Sequence, residues 1–137
     1  MIRISPDLET AMLTQAEKTY PYECCGFLLG SLENDGQRTV AEVLPMTNSR
    51  EQAKQRRRFR IEADDFALAE KQAAEKGLDI IGFYHSHPDH PALPSQYDLE
   101  HALPFYSYVI VSVNNGTAEN LNSFELALDR SKFNQEL

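Results

Sequence analysis

An apolar run that ends in two histidines and a proline is the feature that most constrains the fold. The letters IIGFY are followed directly by HSHP at positions 85–88. A short apolar run bounded by a proline is typical of a buried strand, so we predict a central strand over residues 78–87. Side chains alternate along a strand. His85 and His87 therefore face the same side and can converge on one ion.

Two further polar residues follow the histidines after a short proline-rich loop over residues 88–94. They are Ser95 and Asp98. The pattern Ser95-x-x-Asp98 also fits a helix capping box, and we predict a short helix over residues 95–102. The two roles are compatible, because a capping serine at the start of that helix can also face a site.

The donors of His85, His87 and Asp98 suit Zn²⁺. Three protein ligands leave the fourth position open for water, as in catalytic zinc sites. Zinc lowers the pKa of such a water from about 15.7 toward about 7. Hydrolysis also needs a general base and a donor for the oxyanion. The hydroxyl of Ser95 is the candidate donor.

The combined pattern resembles the motif of the JAMM (MPN-plus) metallopeptidases: Glu23, then HSHP, then seven residues between His87 and Ser95, then Asp98. These are zinc isopeptidases that act at the C-terminal tails of ubiquitin-like proteins. The segments YECCGFLLG and GFYHSHPDHPALPS are also similar to the family, so the resemblance covers most of the chain. It implies His85, His87 and Asp98 as ligands of one catalytic zinc ion, Glu23 as acid/base and Ser95 as oxyanion stabiliser. The role of Glu23 rests on the resemblance alone.

The resemblance also implies a substrate class. The chain lacks the insertions with which larger eukaryotic members grip ubiquitin chains, and it looks like the stand-alone prokaryotic form. In that branch the expected partner is a small ubiquitin-like sulfur-carrier protein. Its C-terminal Gly-Gly tail would be trimmed, or freed from an adduct such as cysteine. A monomer and a homodimer are both compatible with the sequence.

The remaining pattern predicts one α/β domain over residues 1–137, with a mixed curved sheet flanked by helices. The resemblance adds the MPN/JAMM fold and its cytidine-deaminase-like layering. Ser5, Pro6 and Asp7 form a helix-start signal, and Gly77 is a helix-end signal. The predicted helices are residues 6–19, 64–76 and 95–102. The predicted strands are residues 25–31, 38–45, 78–87, 106–113 and 122–128, with a turn at 114–116 and a short edge strand around Phe59 and Ile61.

The net charge of −8 argues against nucleic acid or an anionic membrane as the main partner. Residues 50–60 nevertheless hold six of the 13 basic residues. This basic segment is either a solvated edge or a contact for an acidic part of the partner. No run approaches the length of a membrane span, and the first residues do not form a signal peptide. We therefore expect a cytoplasmic protein.

Four other residues are potential metal ligands. Cys24 and Cys25 are adjacent, and neighbours in sequence rarely meet disulfide geometry; we expect buried, inert thiols. His90 and His101 are expected to lie in solvent or behind the ligands, because a catalytic zinc needs only three protein ligands.

Two rival functions remain. The first is a catalytically inactive MPN-type scaffold that binds proteins, although every expected ligand is present. The second is a zinc deaminase, which would need a His-x-Glu and a Pro-Cys-x-x-Cys signature. The sequence contains neither.

Overall fold

Seven strands form one mixed sheet, with helices on both faces, in residues 1–46, 48 and 63–136, which the computed structural model describes. The basic segment 50–60 and the predicted edge strand around Phe59 and Ile61 lie outside the described residues. The strands are β1 Ile2–Arg3, β2 Cys25–Leu32, β3 Arg38–Met46, β4 Asp79–Pro88, β5 Ser107–Asn114, β6 Thr117–Leu126 and β7 Phe133–Gln135. The helices are α1 Pro6–Thr19, α2 Ala63–Glu75 and α3 Gln96–His101.

The strand order is β1-β3-β2-β4-β5-β6-β7. The pairs β1–β3 and β4–β5 are parallel, and the other neighbours are antiparallel. The predicted mixed sheet is confirmed. Strand β4 lies in the middle, as its apolar run predicts, because a central strand with elements packed on both faces of the sheet buries side chains on both sides.

The two long helices cover opposite faces of the sheet. Helix α1 packs Met12 and Ala16 against a core that includes Leu28, Tyr84 and Val111. Helix α2 packs small residues, Ala69 and Ala73, against the other face, where the aromatic rings of β2 and β4 lie. The predicted α/β layering is therefore present, and the end of β4 is enclosed by packed elements.

A buried arginine shows how strongly the sheet curves. Arg38, at the start of β3, donates hydrogen bonds to the carbonyl of Phe105 (3.0 Å) and to the hydroxyl of Ser107 (3.3 Å), and it pairs with Glu125 on β6. Strands β3 and β6 are four places apart in the sheet. In a flat sheet they would be separated by about 19 Å, beyond the reach of one side chain. The predicted curvature is thus confirmed.

The hairpin of β5 and β6 corrects one prediction. Asn115 and Gly116 both have positive φ, of 51° and 85°, as a tight hairpin turn requires. Strand β6 begins directly after them at Thr117 and ends at Leu126, whereas the sequence predicted residues 122–128. The letters TAENLN are mostly polar, with Ala118 and Leu121 as the exceptions, and they pair with β5 along the sheet. A pattern of hydrophobicity does not detect such an exposed half-strand.

The two terminal strands, β1 and β7, were not predicted. They are two and three residues long, too short for an alternating pattern to appear. The other helices and strands predicted within the described residues are confirmed, and their boundaries agree with the structure to within one residue. None of the helices in the described part of the chain is both long and apolar enough to cross a membrane.

Candidate metal centre

Strand β4 carries both histidines to one face of the sheet, as alternation predicts. His85 pairs with Cys25 on β2 and with Ile110 on β5, and His87 pairs with Ser112 on β5, so both backbones are held in the sheet. Both residues are buried: 1% of the surface of His85 and 7% of the surface of His87 are exposed. Their Nε2 atoms lie 3.1 Å apart.

The loop after Pro88 fixes the orientation of the second imidazole. The Nδ1 of His87 lies 2.9 Å from the carbonyl oxygen of Pro91. A carbonyl can only accept, so Nδ1 carries the proton and Nε2 presents its lone pair to the site. The loop itself is held from β5 and β6, where Ser112 donates to the carbonyl of His90 (2.6 Å) and Asn122 donates to that of Ala92 (2.9 Å).

Asp98 closes a triangle of donors. Its Oδ1 is 3.2 Å from His85 Nε2, and its Oδ2 is 3.2 Å from His87 Nε2. A tetrahedral ion with bonds of about 2.0 Å separates its ligand atoms by about 3.3 Å. The two Nε2 atoms, 3.1 Å apart, therefore have the spacing of two ligands of one zinc-sized ion, and a carboxylate oxygen of Asp98 lies within 4.8 Å of both. Within the described residues, these three form the one cluster of histidine, cysteine or acidic side chains able to hold a metal.

The protonation states of the triangle suit a metal. Burial lowers the pKa of His85, which favours the neutral imidazole. Burial alone would raise the pKa of Asp98, but the neighbouring imidazoles of His85 and His87 and the hydrogen bond from the Ser95 amide hold it below its usual range. Neutral histidines and an ionised carboxylate are the forms that bind a cation.

Helix α3 positions Asp98 through its first turn. Ser95 is the N-cap: its Oγ accepts from the Asp98 amide (3.0 Å), and the Asp98 Oδ2 accepts from the Ser95 amide (2.8 Å). The capping-box prediction is confirmed. Because a hydroxyl can accept and donate at once, the capping bond leaves the Ser95 proton available to an oxygen in the site.

Glu23 lies just before β2 and is also buried, with 4% exposed. It lines a cleft of about 480 Å³ together with His87, Ser95 and Tyr97. The structure thus brings Glu23, one predicted ligand and the predicted oxyanion donor to one opening. The apolar part of the wall consists of Pro91, Leu93 and Pro94.

The remaining candidate ligands lie outside the triangle. His90 is exposed in the wall of the same cleft. His101 stacks on Tyr97, with ring centroids 4.0 Å apart, and its Nδ1 lies 2.9 Å from the Tyr97 carbonyl. The thiols of Cys24 and Cys25 are buried and unbridged, as predicted. Burial raises their pKa values to about 11 and about 12, which keeps both protonated.

Two residues that the sequence did not predict as functional hold the backbone beside Glu23. Ser86 accepts from the amide of Cys24 (2.8 Å), and Asn48 donates to the carbonyl of Glu23 (3.1 Å). The signal for Ser86 was its position: it is a polar residue in a buried strand and points away from the two histidines. No comparable signal marks Asn48 in the sequence.

Known proteins are similar to this chain over most of its length. The family described as prokaryotic homologs of the JAB domain (Prok-JAB) matches residues 5–127. A desampylase of Haloferax volcanii is 34% identical over 93 residues, which are 67% of this chain and 63% of the relative. This chain therefore spans less than two thirds of that protein's length.

Two further proteins are similar over more of the chain. A CysO-cysteine peptidase of Mycobacterium tuberculosis is 30% identical over 125 residues, or 90% of this chain and 81% of the relative. The solution structure of a protein from Salinibacter ruber is 45% identical and has a TM-score of 0.77. That similarity covers 98% of this chain and 88% of the other.

Proposed function

This chain belongs to the family of prokaryotic JAB-domain homologues, and from this premise we propose that it is a zinc-dependent peptidase. It hydrolyses a bond at the C-terminal Gly-Gly tail of a small ubiquitin-like sulfur-carrier protein. One observation carries the proposal: the Nε2 atoms of His85 and His87 lie 3.1 Å apart and each lies 3.2 Å from an oxygen of Asp98, while Glu23 and Ser95 line the same cleft as His87.

The metal would be held by His85 Nε2, His87 Nε2 and a carboxylate oxygen of Asp98. Zinc supplies two things in such a site: it polarises a carbonyl, and it lowers the pKa of water toward about 7. The protein's own contribution is to keep the three ligands in place. Strand β4 and the capping box of α3 do so, because each ligand backbone is hydrogen-bonded within a regular element.

Glu23 moves the proton in this proposal. Its carboxylate takes a proton from the attacking water, whose oxygen bonds to the carbonyl carbon of the scissile bond. When the carbon–nitrogen bond breaks, Glu23 returns that proton to the departing amine. A single carboxylate can serve both steps because general base and general acid are successive states of one group.

Ser95 stabilises the charge that develops on the carbonyl oxygen. Its hydroxyl is oriented by the bond from the Asp98 amide to Oγ, and the hydroxyl hydrogen is then available to donate. A donor fixed in advance needs no reorganisation during the reaction.

The substrate class is supported by the names of the relatives. One is named a desampylase and another a CysO-cysteine peptidase, and the second name is that of a peptidase. The cleft beside Glu23 has an apolar wall and an open mouth, which suits an extended tail of small residues. The basic segment 50–60 remains a candidate contact for the body of the partner.

The test is cleavage of a defined substrate. A ubiquitin-like sulfur-carrier protein from the same genome, ending in Gly-Gly, is joined at its C-terminus either to cysteine or to a lysine side chain, and the products are weighed by mass spectrometry. We expect cleavage after Gly-Gly, loss of cleavage with a chelator and recovery with zinc. A purified chain that holds no stoichiometric zinc and cleaves neither substrate would favour the inactive scaffold.

A further inference from the structure

The pairing of β2 and β4 changes where the chain reaches Glu23. Cys25 pairs with His85 in the regular ladder. One residue further, the Ser86 amide donates to the Cys24 carbonyl (3.1 Å), but the Cys24 amide donates to the Ser86 hydroxyl (2.8 Å). In a regular antiparallel pair that amide would bond a main-chain carbonyl. A side-chain oxygen has taken its place, and β2 leaves the sheet here.

The other half of the same peptide group is held as well. The carbonyl of Glu23 accepts from the side-chain amide of Asn48 (3.1 Å). The peptide plane between Glu23 and Cys24 therefore has its carbonyl bonded by Asn48 and its N–H bonded by Ser86. Two bonds on opposite sides of one plane prevent it from rotating, and this sets the direction of the Glu23 Cα–Cβ bond.

We propose that Ser86 and Asn48 are positioning residues that clamp this peptide plane and thereby aim the Glu23 carboxylate at the metal centre. The proposal rests on the proposed function of Glu23. Ser86 lies between His85 and His87 on β4 and is fully buried. Its two neighbours face the metal site, while its own side chain faces β2. Three consecutive residues of β4 therefore position the site: His85 and His87 are the ligands, and Ser86 positions the proposed base.

The orientation of the Glu23 carboxylate matters because a group that transfers a proton must lie within hydrogen-bond reach of it. A displacement of about 1 Å in a catalytic group costs up to about 100-fold in rate. The proposal therefore predicts a loss in kcat when the clamp is opened, while zinc binding and KM change little, since neither Ser86 nor Asn48 is a ligand or lines the cleft.

The test compares Ser86→Ala, Ser86→Thr and Asn48→Ala with the wild-type protein. Ser107→Ala is the matched control, because Ser107 is another fully buried, hydrogen-bonded serine of the sheet, near Arg38 rather than Glu23. Rates are measured per folded, zinc-loaded chain. Amide hydrogen exchange at Cys24 is followed by NMR in parallel and does not depend on turnover.

We expect Ser86→Ala to expose the Cys24 amide to exchange and to lower kcat by roughly 10- to 100-fold, with KM within about twofold and full zinc content. Ser86→Thr keeps the hydroxyl and should retain the wild-type kcat and the protection of the Cys24 amide from exchange. Ser107→Ala should leave both quantities unchanged. Asn48→Ala should lower kcat in the same way, and it provides the test if Ser86→Ala does not fold.

The inference is overturned if zinc-loaded Ser86→Ala and Asn48→Ala both cleave at the wild-type rate, or if the Cys24 amide stays protected in Ser86→Ala. Failure of the proposed function looks different. In that case the wild-type protein itself cleaves nothing, whereas the exchange measurement still reports whether Ser86 holds the peptide group.

Discussion

Ser95 and Asp98 bond each other twice, Asp98 amide to Ser95 Oγ at 3.0 Å and Ser95 amide to Asp98 Oδ2 at 2.8 Å. The bond that caps α3 thus also orients a proposed metal ligand and a proposed oxyanion donor. A substitution at either position affects helix stability and the site together. The variants that follow from this relationship must separate the two effects.

Ser95→Gly separates them best. Glycine is tolerated at an N-cap and costs only a few tenths of a kcal/mol there, but it has no hydroxyl. We expect thermal stability to change little and kcat to fall by about 10²–10³-fold, the usual effect of removing one oxyanion donor. Ser95→Thr keeps both the cap and the hydroxyl and should retain most activity. If the glycine variant cleaves as fast as the threonine variant, Ser95 is only a cap.

Zinc binding should distinguish His85 from His101. We expect His85→Asn to lose stoichiometric zinc after dialysis, because only two ligands remain. His101→Asn should keep one zinc per chain, since His101 faces Tyr97 and lies outside the triangle. Elemental analysis of the two purified variants measures this. Equal zinc content in both would show that the triangle is not the site.

The stability of the metal-free protein should depend on the buried imidazole. The folded pKa of His85 lies below its usual value because of burial, so the unfolded chain takes up a proton first as pH falls through about 6.5. The contribution of His85 to the free energy of unfolding is therefore fully present above that pH. As pH falls below it, the free energy of unfolding decreases by at most about 1.4 kcal/mol per pH unit for one proton.

Urea unfolding between pH 7.5 and 5.5 in the presence of a chelator measures this slope. His85→Gln cannot take up that proton and should give a shallower slope. An identical slope in the variant would assign the proton uptake to another group.

Arg38 should contribute far more to stability than an exposed ion pair. Arg38→Met removes the buried cation that pairs with the partly buried Glu125 and lies 3.8 Å from the buried Glu136 side chain, and we expect a loss of about 3–5 kcal/mol in the free energy of unfolding. Lys76→Met breaks the exposed pair with Glu42 and should cost about 0–1 kcal/mol. Comparable losses in the two variants would contradict the view that Arg38 holds the curved sheet together.

The sequence predicts one part of the site from local geometry alone. His85 and His87 lie two apart on a strand that is buried on both faces, and alternation requires them to share a side. Asp98 is placed by its spacing after a loop that is short and rich in proline. Both relations are local, so the pattern of residues carries them.

Other parts of the site depend on contacts that no local pattern encodes. Glu23 is 62 residues before the first histidine and reaches the cleft only because β2 pairs with β4 and then leaves the sheet at Cys24. Asn48 bonds Glu23 from a different part of the chain. The strands β1 and β7 are recognisable only by their partners in the sheet.

The central claim is that Glu23 makes a zinc site into a peptidase, and the most direct measurement is the cleavage rate of zinc-loaded Glu23→Gln. Glutamine keeps the shape of the side chain but cannot accept the proton. We predict one zinc per chain and a rate at least about 100-fold below that of the wild-type protein. Cleavage at the wild-type rate by the zinc-loaded variant would contradict the account.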